Sequence, residues 1–257
     1  MNRVQRLAPV VRHEEVAEGI HLLAAECPDI ARQVRPGQFV NVRLVEGPAG
    51  ALLRRPFSVS RVDGDAIEVL FNVVGKATRS MASRRLGDML DLLGPLGRPF
   101  GTDSDFDSAM VVAGGLGVAP LPFLVDDLRG RGKKVQAILG ARTARHIVRR
   151  HLEDAIIATD DGSEGLKGSV VDLLTHQLDL RTPERLKIFA CGPTPMLKAL
   201  GTMAVKRGIE CELSLEGDMA CGFGICQGCP VERTNGHRKY ALVCTDGPTF
   251  HAQDVVL

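Results

Sequence analysis

The rhythm of apolar and polar positions changes twice along the chain. From residue 1 to 102 the apolar residues come in short alternating runs. Gln38-Phe39-Val40-Asn41-Val42-Arg43-Leu44 and Ala66-Ile67-Glu68-Val69-Leu70-Phe71 each put every second side chain on one face, the period of a half-buried β-strand. Turn signals at Arg35-Pro36-Gly37, Glu46-Gly47-Pro48, Asp63-Gly64-Asp65 and Leu93-Gly94-Pro95-Leu96-Gly97 separate such runs. An antiparallel β-barrel is the expected fold of this region.

Residues 103–212 read differently. Four apolar runs, Ala109–Ala113, Val135–Leu139, Ile156–Thr159 and Leu186–Ala190, are spaced by stretches long enough for helices. That alternation predicts an α/β domain with a parallel sheet covered on both faces. Residues 213–257 are rich in Gly and Cys and have little room for a core, so a small lobe organised by metal is expected. The predicted fold class is therefore multi-domain, β plus α/β. No internal repeat, low-complexity tract or long linker interrupts the three regions.

Charge and composition narrow the function. The 32 Lys and Arg balance 31 Asp and Glu, a formal net charge of +1. Such a chain has no electrostatic footprint for nucleic acid or anionic lipid. Nine Phe, one Tyr and no Trp leave no stacking platform for single-stranded bases. The uncharged stretch Ser108–Val125 is long enough to span a bilayer, yet three Gly and two Pro interrupt it and Asp107 and Asp126 bracket it. A buried strand followed by a glycine turn explains it better. The opening MNRVQRLAPVVRHEE lacks the apolar core of a secretory signal, which predicts a cytoplasmic protein with reduced thiols.

Four of the seven cysteines lie close together, as Cys221-x4-Cys226-x2-Cys229-x14-Cys244. The x4, x2 spacing matches the loop that supplies three thiolates to a 2Fe–2S cluster in plant-type ferredoxins. Gly222, Gly224 and Gly228 would let such a loop curl and turn N–H groups toward the sulfurs. A structural zinc site is the competing reading, although it usually shows two paired knuckles. Cys27 and Cys211 read as plain thiols.

Two further motifs suit nucleotides. Val111-Val112-Ala113 runs into Gly114-Gly115-Leu116-Gly117-Val118-Ala119-Pro120, a strand and glycine turn that can admit a pyrophosphate or serve as a tight structural turn. Ile188-Phe189-Ala190-Cys191-Gly192-Pro193 again joins a strand end, a glycine and a helix start, at the sheet edge where ligands bind. Cys191 is there either to face a nicotinamide or to fill a buried strand end. Asp160 and Asp161 close another strand, as ribose acceptors that would favour NAD over NADP or as a polar turn. In the first region, Arg54-Arg55-Pro56-Phe57-Ser58-Val59-Ser60 and Gly75-Lys76-Ala77-Thr78 combine guanidinium and hydroxyl groups fit for an anion, or form an ordinary β-edge.

Taken in this order the motifs resemble the ferredoxin–NADP reductase superfamily over most of the chain. Arg55-Pro56-Phe57-Ser58 is similar to its Arg-x-Tyr/Phe-Ser/Thr flavin motif, and Cys191-Gly192-Pro193 to its pyridine-nucleotide half. The cysteine lobe ending in Cys244-Thr245-Asp246-Gly247-Pro248-Thr249-Phe250 resembles, more narrowly, the electron-transfer subunits of class 1B dihydroorotate dehydrogenases. The resemblance implies FAD held by Arg55, Pro56, Phe57, Ser58, Leu70, Phe71, Asn72, Lys76, Ala77 and Thr78, with Ala77 standing where the family has glycine. It implies NAD at Gly114, Gly115, Gly117, Gly192 and Pro193 and a 2Fe–2S cluster on Cys221, Cys226, Cys229 and Cys244, and with NAD there Asp160 is the candidate ribose acceptor and Cys191 the candidate catalytic residue. It also implies an FMN-containing catalytic subunit as partner, in a dimer of heterodimers, with neither nucleic acid nor membrane. Flavin is the converter such a chain needs, because NAD carries electrons in pairs and a cluster one at a time. Related subunits of hydrogenases, ferredoxin reductases and oxygenases share these motifs, and a non-enzymatic zinc module is the alternative of another class.

Overall fold

The computed structural model describes residues 3–43, 53–180, 183–236 and 238–257. Strands β1 (Val4–Ala17), β2 (Ile20–Glu26), β3 (Phe39–Arg43), β4 (Arg55–Asp63), β5 (Ala66–Asn72) and β6 (Met89–Leu96) carry the first region, with one turn of helix, α1 (Pro28–Ala31), and α2 (Lys76–Ala82) between them. They close a barrel in the order β1-β2-β5-β4-β3-β6. The period-two residues converge as their spacing predicts: Val40, Val42, Val59, Ile67, Val69 and Phe71 meet in one core. Leu44 and the Glu46-Gly47-Pro48 turn lie outside the described residues.

One turn signal proves to be strand. Leu93-Gly94-Pro95-Leu96 continues β6, and the turn begins only at Gly97, where φ is +76°. Pro95 is tolerated because the β1 ladder ends at Gly94 and the β3 ladder slips between Phe39 and Asn41. Its missing N–H therefore falls at a bulge, where no ladder bond is lost.

The second region forms β7 (Ser108–Gly114), α3 (Leu121–Gly130), β8 (Lys134–Ala141), β9 (Ile156–Thr159), β10 (Leu166–Lys167), α4 (Val170–Leu180), β11 (Leu186–Cys191), α5 (Thr194–Arg207) and β12 (Glu210–Ser214). Ser108–Val125 is thus a central strand, a 3-10 turn and the start of a helix. Among the described residues no helix is long and apolar enough to cross a membrane. Alternate strand residues serve opposite faces. Val111, Ala137 and Phe189 pack with Leu121, Leu124 and Leu128 of α3, while Val112, Ile138 and Ile188 pack with Leu174 of α4 and Leu200 of α5.

The cysteine-rich segment contributes a short hairpin, β13 (Pro230–Glu232) with β14 (Tyr240–Leu242), and then β15 (Thr249–His251). That last strand adds antiparallel to β12, giving a seven-stranded sheet in the order β10-β9-β8-β7-β11-β12-β15. The segment also covers the outer face of β3. Phe39 and Asn41, which alternation places on the wet side of the strand, are 3% and 1% exposed.

A buried charge network joins barrel to sheet. Lys187 is 1% exposed, and its Nζ lies 2.7 Å from carboxylate oxygens of both Glu210 and Glu212. The same ammonium donates to the Gly101 carbonyl and the Ser104 hydroxyl, each at 2.9 Å, while Gly101 N–H donates to Glu212. Glu210, Glu212 and His251 converge closely enough to suit a metal, but Lys187 already supplies the positive charge. Lys187→Met is expected to lower stability by about 3–5 kcal/mol, the cost of leaving a buried carboxylate unpaired. Urea denaturation checks this, and Lys187→Met with Glu212→Leu should recover much of the loss.

Candidate functional site

One cavity of about 590 Å³ opens where barrel and sheet meet. The volume falls in the range of cofactor pockets. Every residue that the resemblance assigns to flavin lines it: Arg55, Pro56, Phe57 and Ser58 from β4, Leu70, Phe71 and Asn72 from β5, and Lys76, Ala77 and Thr78 from α2. The sheet contributes Cys191, Leu116, Ala119 and Pro120. Apolar walls with a few convergent polar groups are what a flavin's ring and phosphates require.

The two arginines separate in role. Arg54 is drawn inward, its guanidinium donating to the Asp91 carboxylate at 2.8 Å and carbonyl at 3.0 Å. Arg55 faces the cavity, and its described hydrogen bonds go only to the carbonyls of Leu53 and Arg54. A planar cation left available in this way suits a pyrophosphate. The Thr78 hydroxyl accepts from the N–H groups of Val74 and Gly75. It closes the turn that brings Lys76 to the cavity, and Ala77 leaves the turn intact.

The glycine turn and Cys191-Gly192-Pro193 sit side by side at the C-terminal ends of β7 and β11, which are sheet neighbours. Their glycines differ in purpose. A Cβ on Gly117 would fall 2.2 Å from the Cys191 carbonyl oxygen, and one on Gly114 would fall 2.5 Å from Met196 Sδ, so these two are small for internal packing. Gly115, at φ +54°, has open space where its side chain would be, so its glycine answers to backbone conformation rather than packing. Gly114, Gly115, Gly117, Gly192 and Pro193 stand beside the cavity rather than in its wall. Asp160 lies further along the same edge, at the end of β9, and is exposed. Asp161 is committed to its own turn, accepting from Ser163 N–H and Oγ.

Cys191 is buried and pairs across the ladder with Ser214. Burial first, and then the Glu216 carboxylate, push its thiol up to about 12. Glu216 is the residue that motif reading missed. It follows the end of β12 and lines the cavity, where the loss of solvent to the surrounding protein raises its carboxyl above the ordinary range. Its position just past a parallel strand end was the available signal.

The cysteine loop begins two residues beyond Met219, itself part of the cavity wall. Its N–H groups turn toward sulfur: Cys226 donates to Cys221 Sγ at 3.4 Å, Gly228 to Cys226 Sγ at 3.4 Å, and Cys244 to Cys229 Sγ at 3.5 Å. Burial pushes the Cys221 thiol up, but backbone donors from Cys226, Phe223 and Ile225 outweigh it and bring it down to about 6. Cys244 is pushed up to about 12 by burial and the adjoining Cys229 thiol. The thiols thus meet as two pairs, Cys221 with Cys226 and Cys229 with Cys244. Two pairs of thiolates with N–H donors fit a cluster of two tetrahedral irons.

A family model for the iron–sulfur cluster binding domain of dihydroorotate dehydrogenase B matches residues 216–256. The electron transfer subunit of dihydroorotate dehydrogenase B (NAD(+)) from Desulforamulus reducens is 39% identical over 250 residues, covering 94% of each chain. That from a Geobacillus species is also 39% identical, over 98% of this chain and 99% of the relative. The chain belongs to this family of electron transfer subunits. A solved NADH-dependent reduced ferredoxin–NADP oxidoreductase chain superposes with a TM-score of 0.83 at 29% identity, over 98% of this chain and 90% of that one. A ferredoxin–NADP+ reductase from Neisseria gonorrhoeae, at 19% identity and a TM-score of 0.66 over 79% of this chain and 92% of that one, shares the fold.

In this member of the dihydroorotate dehydrogenase B family, the raised thiol of Cys191 has a direct consequence. An ordinary cysteine gains alkylation rate as pH rises through about 8.5, whereas Cys191 stays protonated until about 12. Iodoacetamide labelling followed by peptide mass spectrometry is expected to show no rise at Cys191 between about pH 7 and about pH 9.5. A midpoint near the ordinary value would contradict the buried setting.

Proposed function

We propose that this chain passes electrons from a dihydroorotate-oxidising catalytic subunit to NAD+, in the formation of orotate for pyrimidine synthesis. One observation carries the reading: Leu215, Glu216, Gly217 and Met219 line the cavity and lead directly into Cys221, so flavin and cluster sites share a continuous wall. When bound, flavin exchanges a hydride with nicotinamide and single electrons with the iron–sulfur centre.

The residues fit those tasks. Arg55 and Lys76 bring positive charge to the flavin phosphates, Phe57, Leu70 and Phe71 offer apolar surface to the ring, and Ser58 and Asn72 offer hydrogen bonds to its edge. Gly115 and Gly192-Pro193 admit the NAD pyrophosphate, and Cys191, neutral at working pH, backs the nicotinamide without adding charge. Asp160 would repel a 2′-phosphate, which favours NAD. Cys221, Cys226, Cys229 and Cys244 hold the cluster. On this reading residues 1–102 serve the flavin, 103–212 the nucleotide and 213–257 the cluster.

The partner is an FMN-containing catalytic subunit, joined in a dimer of heterodimers in the cytoplasm. A catalytic barrel of that kind needs about 250 residues of its own, more than this chain can spare. The ferredoxin–NADP oxidoreductase likeness offers a second partner class on the same scaffold, and the higher identity of the dihydroorotate dehydrogenase relatives favours the first.

The purified chain is expected to oxidise NADH with an artificial dye acceptor and to leave dihydroorotate untouched. Adding the catalytic subunit should establish dihydroorotate-dependent reduction of NAD+. Turnover of dihydroorotate by the chain alone, or a colourless protein containing zinc and no flavin, would refute the assignment.

A further inference from the structure

Strand β3 carries one residue that its apolar pattern does not account for. Val40 and Val42 enter the barrel core, which places Asn41 between them on the opposite face, beside Phe39. That face packs against the lobe of Cys229 and Cys244. Asn41 is 1% exposed, its Nδ2 donates to the Cys221 carbonyl at 2.8 Å, and its Oδ1 is buried with no described hydrogen-bond partner. An unpaired buried acceptor costs about 1–3 kcal/mol, a cost that leucine or valine in this position would avoid.

The loop is shaped to receive the amide. Gly222 has φ +78°, and a Cβ there would fall 2.2 Å from Asn41 Nδ2. Only glycine lets the chain take this conformation and lets the amide approach. On its other side Asn41 sits directly opposite Pro56 in the β3–β4 ladder, and Pro56 belongs to the cavity wall. A single residue therefore touches the first cluster cysteine and stands one strand from the flavin cavity.

We propose that Asn41 is a positioning residue that holds Cys221 at a fixed distance from the flavin cavity, and so sets the rate of electron exchange between the two carriers. The proposal rests on the assignment of the cluster to Cys221 and of flavin to the cavity. Each passage moves one electron from reduced donor to oxidised acceptor and makes or breaks no bond. What the protein controls is the separation and the dipoles around the thiolates. The amide of Asn41 brings the positive end of an N–H dipole to the Cys221 peptide, which would stabilise negative charge on a cluster held there and make its potential more positive.

Asn41→Leu keeps the volume and removes the donor, and Gly222→Ala displaces the loop from the amide while leaving the barrel untouched. Both are compared with the wild-type chain for iron and flavin content, cluster potential by EPR-monitored titration, and stopped-flow kinetics after NADH addition. The expected result is unchanged flavin reduction by NADH, a cluster potential shifted to more negative values, and cluster reduction slowed about tenfold, the size usual for lost outer-shell partners. Loss of iron with flavin retained in Asn41→Leu also supports the tether, whereas iron loss in Gly222→Ala beside a wild-type Asn41→Leu overturns it. Wild-type potential and exchange rate in either iron-loaded variant overturns it. A wild-type chain without an iron–sulfur EPR signal overturns the cluster assignment instead, which separates the two failures.

Discussion

The arrangement of the whole molecule depends on a short wedge, Gly247-Pro248-Thr249-Phe250, where barrel, sheet and cysteine loop meet. Arg98 N–H donates to the Gly247 carbonyl at 2.6 Å and Leu215 N–H to the Pro248 carbonyl at 2.9 Å, so successive carbonyls of the wedge hold the end of the barrel and the end of β12. The Thr249 hydroxyl returns to the carbonyls of Arg98 and Pro99. Phe250 enters the core shared with the cysteine lobe. Space here is tight enough to dictate residue type, since a Cβ on Gly97 would meet Pro248 at 2.5 Å and one on Gly247 would meet the Phe250 ring at 2.2 Å.

Buried contacts of this kind, rather than the surface ion pairs, fix the angle between barrel and sheet. Arg61 with Asp126 and Arg150 with Glu14 also cross that boundary, but exposed pairs contribute about 0–1 kcal/mol each and are screened by salt. The Lys187 network and the wedge are shielded from water, and each secures several backbone groups at once. The functional consequence is geometric. The cavity takes its walls from both units, and Leu215, one of its lining residues, is held by the carbonyl of Pro248, a residue that also lines it. Barrel, sheet and cysteine loop thus share one set of buried contacts around the cavity.

Much of this was legible in sequence, and the reason is locality. The barrel motifs, the glycine turn and the x4, x2 cysteine spacing each place their chemistry within a few residues, so alternation and spacing suffice to find them. The cysteine spacing, the glycine turn and the buried parallel strands follow from such short-range rules, whereas Leu70, Phe71 and Asn72 of β5 are implied only by the family resemblance and the meeting of Cys229 with Cys244 belongs to the fold. What escaped was long-range. Asn41 reads as the polar face of a half-buried strand until a lobe 180 residues away in sequence covers it. Glu216 belongs to no motif and becomes part of the cavity only because β12 ends beside β11. Leu93-Gly94-Pro95-Leu96 has the composition of a turn, and only a bulge in a ladder formed with distant β3 lets it run as strand. β15 was hidden for a similar reason: three residues carry no recognisable period, and their strand identity comes from the edge of β12 that they complete.

The seven cysteines show how environment sorts one residue type into two chemistries. Cys27, Cys191 and Cys211 are buried in apolar surroundings that hold their thiols above the ordinary range, and a neutral thiol is a poor metal ligand and a poor nucleophile. Cys221, Cys226 and Cys229 receive backbone N–H groups at sulfur, and Cys244, whose thiol is likewise raised to about 12, joins Cys229 in the same lobe, where a bound metal would displace its proton. The buried pair, Cys229 and Cys244, is closed off by the lobe, whereas Cys226 is exposed. A group held by these four would be insulated on the protein's side and open at Cys226. Electrons exchanged with another subunit would therefore pass most directly on the Cys226 side, while exchange within the chain would pass on the Cys221 side, where Asn41 and the cavity wall lie.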